Sequence, residues 1–322
     1  MANNQSKGAS SAKKKAVDPR TKTSASLGQW ISAARLRTLA LAIAPVAFGT
    51  GIASVYQSVV WLNAGLALLV ALLLQIGVNY ANDYSDGVRG TDNNRVGPFR
   101  LTASHLVKPK QVRNAAYVFF ALAAVTGLSL AVIAHQIWLI AVGAVAIVAA
   151  WFYTGGKRPY GYSGLGEVVS FIFFGPVAVF GTAYVQVASM FDDLFTILQT
   201  AAGSIAIGGL AAAVLLVNNL RDIDTDGPVG KRTVSVRFGD RTSKVVFSTL
   251  VAISLAVLIG FVTLYPLTVF AFAAYLLLLP AVLIVWTYRH PRELILALKL
   301  TSFGALIWGV LVGWGFHAFL LT

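Results

Sequence analysis

Nine apolar stretches of about 17 to 24 residues divide this chain, each long enough to cross the roughly 30 Å hydrocarbon core of a bilayer as a helix. Lipid offers no partner to a backbone N–H or C=O, so such a segment must satisfy its polar groups internally, as an α-helix does. The stretches fall near residues 38–56, 60–80, 115–134, 137–153, 168–190, 195–217, 245–265, 267–288 and 298–321. Only 11% of the residues are charged and 57% are hydrophobic, against roughly a quarter charged in a water-soluble domain. The expected fold class is an all-α membrane protein with about nine transmembrane helices.

The basic residues orient these helices. With the N-terminus inside, 8 Lys and Arg lie in the tail and the start of the first helix, 6 in segment 84–113, 2 in 154–164, 6 in 221–244 and 3 in 289–299, which accounts for all 25. The alternate connections, at Gln57-Ser58, His135-Gln136, Asp192-Asp193 and Pro266, carry none. Cytoplasmic loops of membrane proteins hold the excess of Lys and Arg. The N-terminus and the long polar loops are therefore expected in the cytoplasm and, with an odd number of spans, the C-terminus outside. The setting implied is multi-pass in the cell inner (plasma) membrane, among membrane lipids. Orientation accounts for the net charge of +13, and no nucleic-acid partner is expected.

Residues 1–28, with Lys13-Lys14-Lys15 amid Ser, Ala and Asn, hold too little apolar surface to offset chain entropy. They read as a disordered basic cytoplasmic tail ahead of a membrane domain spanning 29–322. The absence of cysteine and the scatter of the four histidines argue against disulfides, thiolate zinc sites and bound redox metal.

Two helix ends carry the chemistry. The second stretch runs into Asn79-Tyr-Ala-Asn82-Asp83-Tyr-Ser-Asp86-Gly-Val-Arg89-Gly90-Thr91-Asp92; positions 79, 82, 83 and 86 follow helical spacing and share a stripe. The sixth runs into Asn218-Asn219-Leu-Arg221-Asp222-Ile-Asp224-Thr-Asp226-Gly-Pro-Val-Gly-Lys231-Arg232, where Asn218, Asp222 and Asp226 form an i, i+4, i+8 row. Unpaired polar groups cannot face lipid, so both rows are expected to face protein or a water-filled cavity. The chain thus reads as two pseudo-equivalent Asp-rich halves. Neighbouring carboxylates repel unless a cation lies between them. An oxygen-only site suits Mg²⁺, which takes one or two carboxylates and leaves its other positions to water and phosphate oxygens. With Arg89, Arg95, Arg100, Lys157, Arg158, Arg221, Lys231 and Arg232 nearby in sequence, the pattern describes a diphosphate site.

These stretches resemble the two N-x-x-x-D-x-x-x-D motifs of the UbiA superfamily of intramembrane aromatic prenyltransferases. Asn218, Asp222 and Asp226 match the second motif in full, and Asn82 and Asp86 match the first, whose last aspartate falls at Gly90 here. Asp83 and Asp92 are the alternatives for completing that metal shell. Ala81 to Asp92, Arg95-Val-Gly-Pro-Phe-Arg100 and Gly155-Gly-Lys-Arg-Pro-Tyr160-Gly-Tyr-Ser-Gly-Leu-Gly-Glu167 are similar to the branch acting on 1,4-dihydroxy-2-naphthoate. The opening Trp30 to Leu39 is similar too, with leucine at position 36 where that branch has proline.

The resemblance implies nine helices around a central cavity and a Mg²⁺-dependent transfer of a polyprenyl group from its diphosphate to 1,4-dihydroxy-2-naphthoate. Carbon dioxide leaves and demethylmenaquinone, a menaquinone precursor, forms. It implies catalytic roles for Lys157, Tyr153 and Arg221, and diphosphate contacts from Asn82, Arg89, Lys157, Arg158, Asn218, Arg221 and Lys231. Asp83, Asp86, Asp222 and Asp226 are implied as metal ligands, and Tyr153, Tyr160, Tyr162 and Arg37 as the acceptor's surroundings. Tyr153 and Lys157 share a face if their helix continues. Two other readings stay open: a different aromatic acceptor such as 4-hydroxybenzoate, and a secondary transporter, since carboxylates within membranes often mark ion pathways.

Overall fold

The computed structural model describes residues 25–91 and 99–319. Its first helix, α1 (Leu27–Ala33), is opened by a reciprocal cap between Ser26 and Gln29. Arg35, with a left-handed φ of 54°, breaks the chain between α1 and α2 (Ala40–Val55), and the pair is bent by 47°. There follow α3 (Trp61–Arg89), α4 (Pro109–Ile133), α5 (Leu139–Phe152), α6 (Gly166–Tyr184), α7 (Leu194–Arg221), α8 (Val234–Leu264), α9 (Pro266–Thr287) and α10 (Leu294–Phe319). Seven of these are long and apolar enough to cross a membrane, the bent pair makes an eighth, and α5 is a shorter apolar helix. Among the described residues each of the nine expected stretches thus meets one apolar helix. The protein is an all-helical, multi-pass membrane protein.

α7 is the most enclosed span, with 78% of its apolar window buried against 17% in α3. The reason is small side chains: Gly203, Gly208 and Ala211 let neighbours approach its backbone. A Cβ on Gly203 would stand 2.0 Å from the ring of Phe48, and one on Gly208 would stand 2.6 Å from the carbonyl of Phe171. α2 and α10 meet in the same way, since a Cβ on Gly51 would lie 2.4 Å from the Cα of Gly313.

Two separate apolar clusters result. The larger joins α2 and α6 to α10 around Phe48, Leu210, Phe247, Leu278 and Trp308. The smaller holds α1, α3, α4 and the 99–107 loop together around Ala33, Tyr80, Leu101, Ala116 and Phe120. Where the two clusters face each other, side chains from α2 to α7 leave a cavity. In α6 a π-turn at Phe173–Val177 containing Pro176 shifts the helical register, so that Phe173, Phe174, Val177 and Ala178 all reach the cavity wall.

Candidate active site

The cavity has a volume of about 520 Å³ and runs from Asp86 and Tyr162 at the end where α3 and α7 finish to Leu139 and Val185 at the other. Over most of its length the wall is Ala, Val, Leu, Ile and Phe; the polar side chains gather at the first end, from Arg35, Arg37, Gln75, Asn79, Asn82, Asp86, Arg100, Asn218 and Lys231. This combination of an apolar tube and one charged mouth suits an amphiphile whose polar group is anionic.

Tyr162 links the two Asp-rich ends. Its hydroxyl donates to Oδ1 of Asp86 at 2.8 Å, and its ring lies under both the Arg89 guanidinium, 5.4 Å from the centroid, and the Lys231 ammonium, 5.6 Å away. Its backbone carbonyl accepts from the Arg232 N–H at 2.8 Å. Burial, followed by the charge on Asp86, pushes the phenol well above its ordinary pKa, so it keeps the proton it donates. Arg100 approaches the other oxygen of Asp86 at 3.7 Å.

On the second end, Asp222 caps α7 and its carboxylate receives Nε and Nη2 of the adjacent Arg221, each at 2.8 Å. Nη2 also donates to Asn218 at 2.9 Å, while Nη1 is buried with no acceptor in reach. A guanidinium so held leaves the two N–H groups of Nη1 for further oxygens. Asp226 sits on a separate turn, Ile223–Asp226, and pairs with Lys231 at 2.9 Å. The i, i+4 relation survives the break because the Asp226 N–H still donates to the Asp222 carbonyl at 2.8 Å.

Three expectations need correction. Asp83 is fully buried and does not line the cavity; its two oxygens accept the backbone N–H groups of Leu101 and Thr102 at 2.8 and 2.9 Å. It secures the 99–107 loop instead of facing a metal, because position 83 lies a further 100° around the helix from Asn82. The shared face of Tyr153 and Lys157 does not form: α5 stops at Phe152 and Gly156 takes a φ of 75°. Tyr153 stays on the cavity wall while Lys157 and Arg158 are exposed and away from it. Nor do Asp83, Asp86, Asp222 and Asp226 form one shell; among the described residues no three His, Cys, Asp or Glu side chains come close enough to hold one ion. Asp92, the alternative for the first motif, and Arg95 lie outside the described residues.

The other expected residues are found around the mouth. Asn82 accepts from the Thr154 hydroxyl at 2.8 Å, and Arg89 donates to the carbonyls of Thr154 and Gly156, pinning the α5–α6 loop to the end of α3. Tyr160 lines the cavity with its hydroxyl donated to the Ala149 carbonyl at 2.7 Å, and burial raises its pKa. Arg37 lies on the wall beside Thr38, to which Gln75 and Asn79 donate at 3.1 and 3.0 Å. Sequence reasoning gave no role to Thr38, Thr154 or Glu167, whose carboxylate accepts from Asn219 at 2.8 Å. No periodicity marks them, since each meets its partner across helices.

The comparisons agree with this architecture. The UbiA prenyltransferase family matches residues 42–308. A curated relative, the 1,4-dihydroxy-2-naphthoate octaprenyltransferase of Mycobacterium tuberculosis, is 47% identical over 288 residues, covering 89% of this chain and 96% of that protein. Among solved structures, the apo form of a UbiA homolog from Aeropyrum pernix superposes with a TM-score of 0.64 at 17% identity, covering 87% of this chain and 96% of that one. A UbiA homolog from Archaeoglobus fulgidus bound to DMAPP and Mg²⁺ gives 0.58 at 15% identity, covering 90% and 99%. At such identities the structural likeness speaks to the fold, and it is the same fold. With the match over residues 42–308 and a relative of 47% identity over nearly its whole length, this chain belongs to the UbiA prenyltransferase family.

Proposed function

We propose that this protein transfers a polyprenyl group from its diphosphate to 1,4-dihydroxy-2-naphthoate with loss of CO₂, giving demethylmenaquinone in its reduced, hydroquinone form. The observation that carries the reading is the cavity's single charged mouth on an otherwise apolar tube, and the naphthoate enzyme at 47% identity supports the acceptor. The donor's diphosphate belongs at the mouth, among Arg100, Arg221 and Lys231, and its hydrocarbon in the tube.

The donor set fits Mg²⁺. It offers carboxylates and amide oxygens without sulfur or imidazole, and Mg²⁺ needs only one or two carboxylates once phosphate and water fill its other positions. Asp86, which lines the mouth, would hold it together with phosphate and water oxygens, with Asp222 or Asp226 as a second carboxylate from the other end; when bound, it would neutralise charge on the leaving diphosphate. The orphaned Nη1 of Arg221 gives the same oxygens a fixed donor. Tyr153, Tyr160 and Arg37 surround the volume left for the ring, with Arg37 for its carboxylate. The allylic C–O bond breaks with its electron pair going to the diphosphate, and the electron-rich ring supplies the pair for the new C–C bond. The pair of the ring–carboxylate bond then returns to the ring as CO₂ departs. The apolar wall excludes the water that would quench the allylic cation.

The acceptor is tested by offering the purified protein naphthoate and 4-hydroxybenzoate side by side with one polyprenyl diphosphate. Naphthoate is expected to be consumed and the smaller ring to react poorly, because it leaves pocket volume unfilled and its carboxylate misplaced. Prenylation of hydroxybenzoate alone would overturn the acceptor assignment.

The charged mouth is assigned to the cytoplasmic side of the inner membrane, the N-terminus with it and the C-terminus outside, from the one-sided distribution of the 25 basic residues. In this cysteine-free chain, cysteines at the exposed positions Ser163 and Val229 should resist a membrane-impermeant thiol reagent until cells are opened. A cysteine at exposed Ser58 should react in intact cells. The opposite pattern would invert the orientation.

A further inference from the structure

One stripe of α3 lines the cavity below its charged mouth. Gln75, Asn79, Asn82 and Asp86 all stand on the wall, and Asn79, seven residues before Asp86, lies about 10 Å down the tube by helical rise. An aromatic ring that meets the first carbon of a donor whose diphosphate sits at the mouth comes to this depth. The polar atoms there are fixed by the break between α1 and α2. The Thr38 hydroxyl donates to the Arg35 carbonyl at 2.9 Å, so its proton is committed and its oxygen is left to accept. It accepts from Nδ2 of Asn79 at 3.0 Å and from Nε2 of Gln75 at 3.1 Å. Asn79 also donates to the carbonyl of Ala34, a residue outside both helices, at 2.8 Å. A carbonyl only accepts, so neither amide turns over without losing a hydrogen bond: each nitrogen faces the break and each oxygen faces away from it.

Amide side chains line the cavity at Gln75, Asn79, Asn82 and Asn218, and all but one have their oxygen engaged. Asn82 accepts from Thr154 and Asn218 from Arg221, while Oδ1 of Asn79 faces Nε2 of Gln75 at 3.5 Å. Oε1 of Gln75 accepts nothing among the described residues, yet it is not sealed inside protein. It is an acceptor held in place on the cavity wall with no donor of its own. The two hydroxyls of 1,4-dihydroxy-2-naphthoate differ in what they need. The one beside the carboxylate has an acceptor within the molecule, and the one across the ring has none. Taking that second O–H out of water without a partner forfeits its hydrogen bond, so a site that binds this ring well must offer it an oxygen. The cations of the mouth cannot, since Arg and Lys only donate. Arg37, assigned above to the carboxylate, is the chain neighbour of Thr38.

We propose that Oε1 of Gln75 accepts a hydrogen bond from the ring hydroxyl at position 4 and so selects a 1,4-diol over a naphthoate with a single hydroxyl. Thr38 is the positioning residue that holds the amide in that orientation. The inference rests on the dihydroxynaphthoate reading above and adds to it the residue that reads the second hydroxyl.

The test compares the binding of 1,4-dihydroxy-2-naphthoate, kept reduced, with that of 1-hydroxy-2-naphthoate, which lacks only the far hydroxyl. Both are titrated into the full-length protein in detergent with Mg²⁺ and a non-hydrolysable polyprenyl thiolodiphosphate, so that no chemistry intervenes. Wild type should bind the diol at least about tenfold more tightly, the scale set by leaving one member of a buried hydrogen bond unpaired. Gln75→Leu should weaken the diol and leave the single-hydroxyl ligand unchanged, which abolishes the preference. Thr38→Val should lower the preference partway, and Thr38→Ser, which keeps the hydroxyl, should restore it; this pair carries the test if Gln75→Leu does not accumulate. A variant that merely loosened the fold would weaken both ligands together. Equal affinity of wild type for the two ligands, a preference unchanged in Gln75→Leu or Thr38→Val, or an equal loss for both ligands would overturn the assignment. Binding of neither naphthoate by wild type would overturn the acceptor reading and this inference with it.

Discussion

Replacing Asp86 by alanine is expected to lower prenyl-transfer turnover at least about 10²-fold, the usual cost of losing a group that stabilises charge in the transition state. Asp86 lines the cavity mouth, receives the Tyr162 hydroxyl at 2.8 Å and faces Arg100 at 3.7 Å. Its loss removes a carboxylate from the mouth and frees Tyr162, which joins the two Asp-rich ends. Asp86 and Arg100 are 5% and 8% exposed, so the variant also strips a buried partner, and thermal unfolding measured beside turnover separates the two effects. Asp222→Ala should be as inactive but for a mixed reason. Arg221 and Asp222 are 4% and 2% exposed, and stripping one partner from a buried ion pair typically costs about 3–5 kcal/mol. Asp222→Asn, which keeps an oxygen for Arg221, is the better variant. Near-normal turnover in both Asp86→Ala and Asp222→Asn at saturating Mg²⁺ would remove the diphosphate from these ends.

Asp83→Ala is expected to fail in a different way, by destabilising the protein. Its carboxylate is the acceptor for two buried backbone N–H groups, and each donor left without a partner costs roughly 1–3 kcal/mol. Together that is a sizeable share of the about 5–15 kcal/mol by which most proteins are stable. The 99–107 loop carries Arg100 to Asp86, so the site loosens as the loop does. The expected signature is a lower unfolding temperature and poor accumulation, with the surviving folded fraction still binding donor. A fully stable Asp83→Ala protein with abolished Mg²⁺-dependent binding would instead make Asp83 a metal ligand.

The membrane architecture was legible because lipid allows the backbone so few solutions. Span positions follow from runs of one residue class. The polar rows were legible for a related reason: at a helix end the i, i+4 spacing of Asn82 and Asp86, and of Asn218 and Asp222, leaves them one place to face. Reasoning from periodicity then met its limits where the helix stops. Lys157 is placed by the turn at Gly156, with its φ of 75°, and not by its distance from Tyr153. Asp83 belongs to the same turn of α3 as Asn82, yet the 99–107 loop, distant in sequence, claims it. The family resemblance places Tyr162 only among the acceptor's surroundings, and the meeting of the α3 end, the α5–α6 loop and Lys231 makes it the link between the two motifs.

The central claim is that a prenyl group replaces the carboxylate of a dihydroxynaphthoate at a diphosphate site formed by the two Asp-rich ends. Its most direct test is the stoichiometry of turnover by the purified protein with Mg²⁺, a polyprenyl diphosphate and carboxyl-labelled 1,4-dihydroxy-2-naphthoate. The account predicts one CO₂ and one diphosphate released for each prenylated ring, and none of the three with Asp86→Ala. A prenylated product that keeps its labelled carboxylate, or diphosphate released without any prenylated ring, would contradict it.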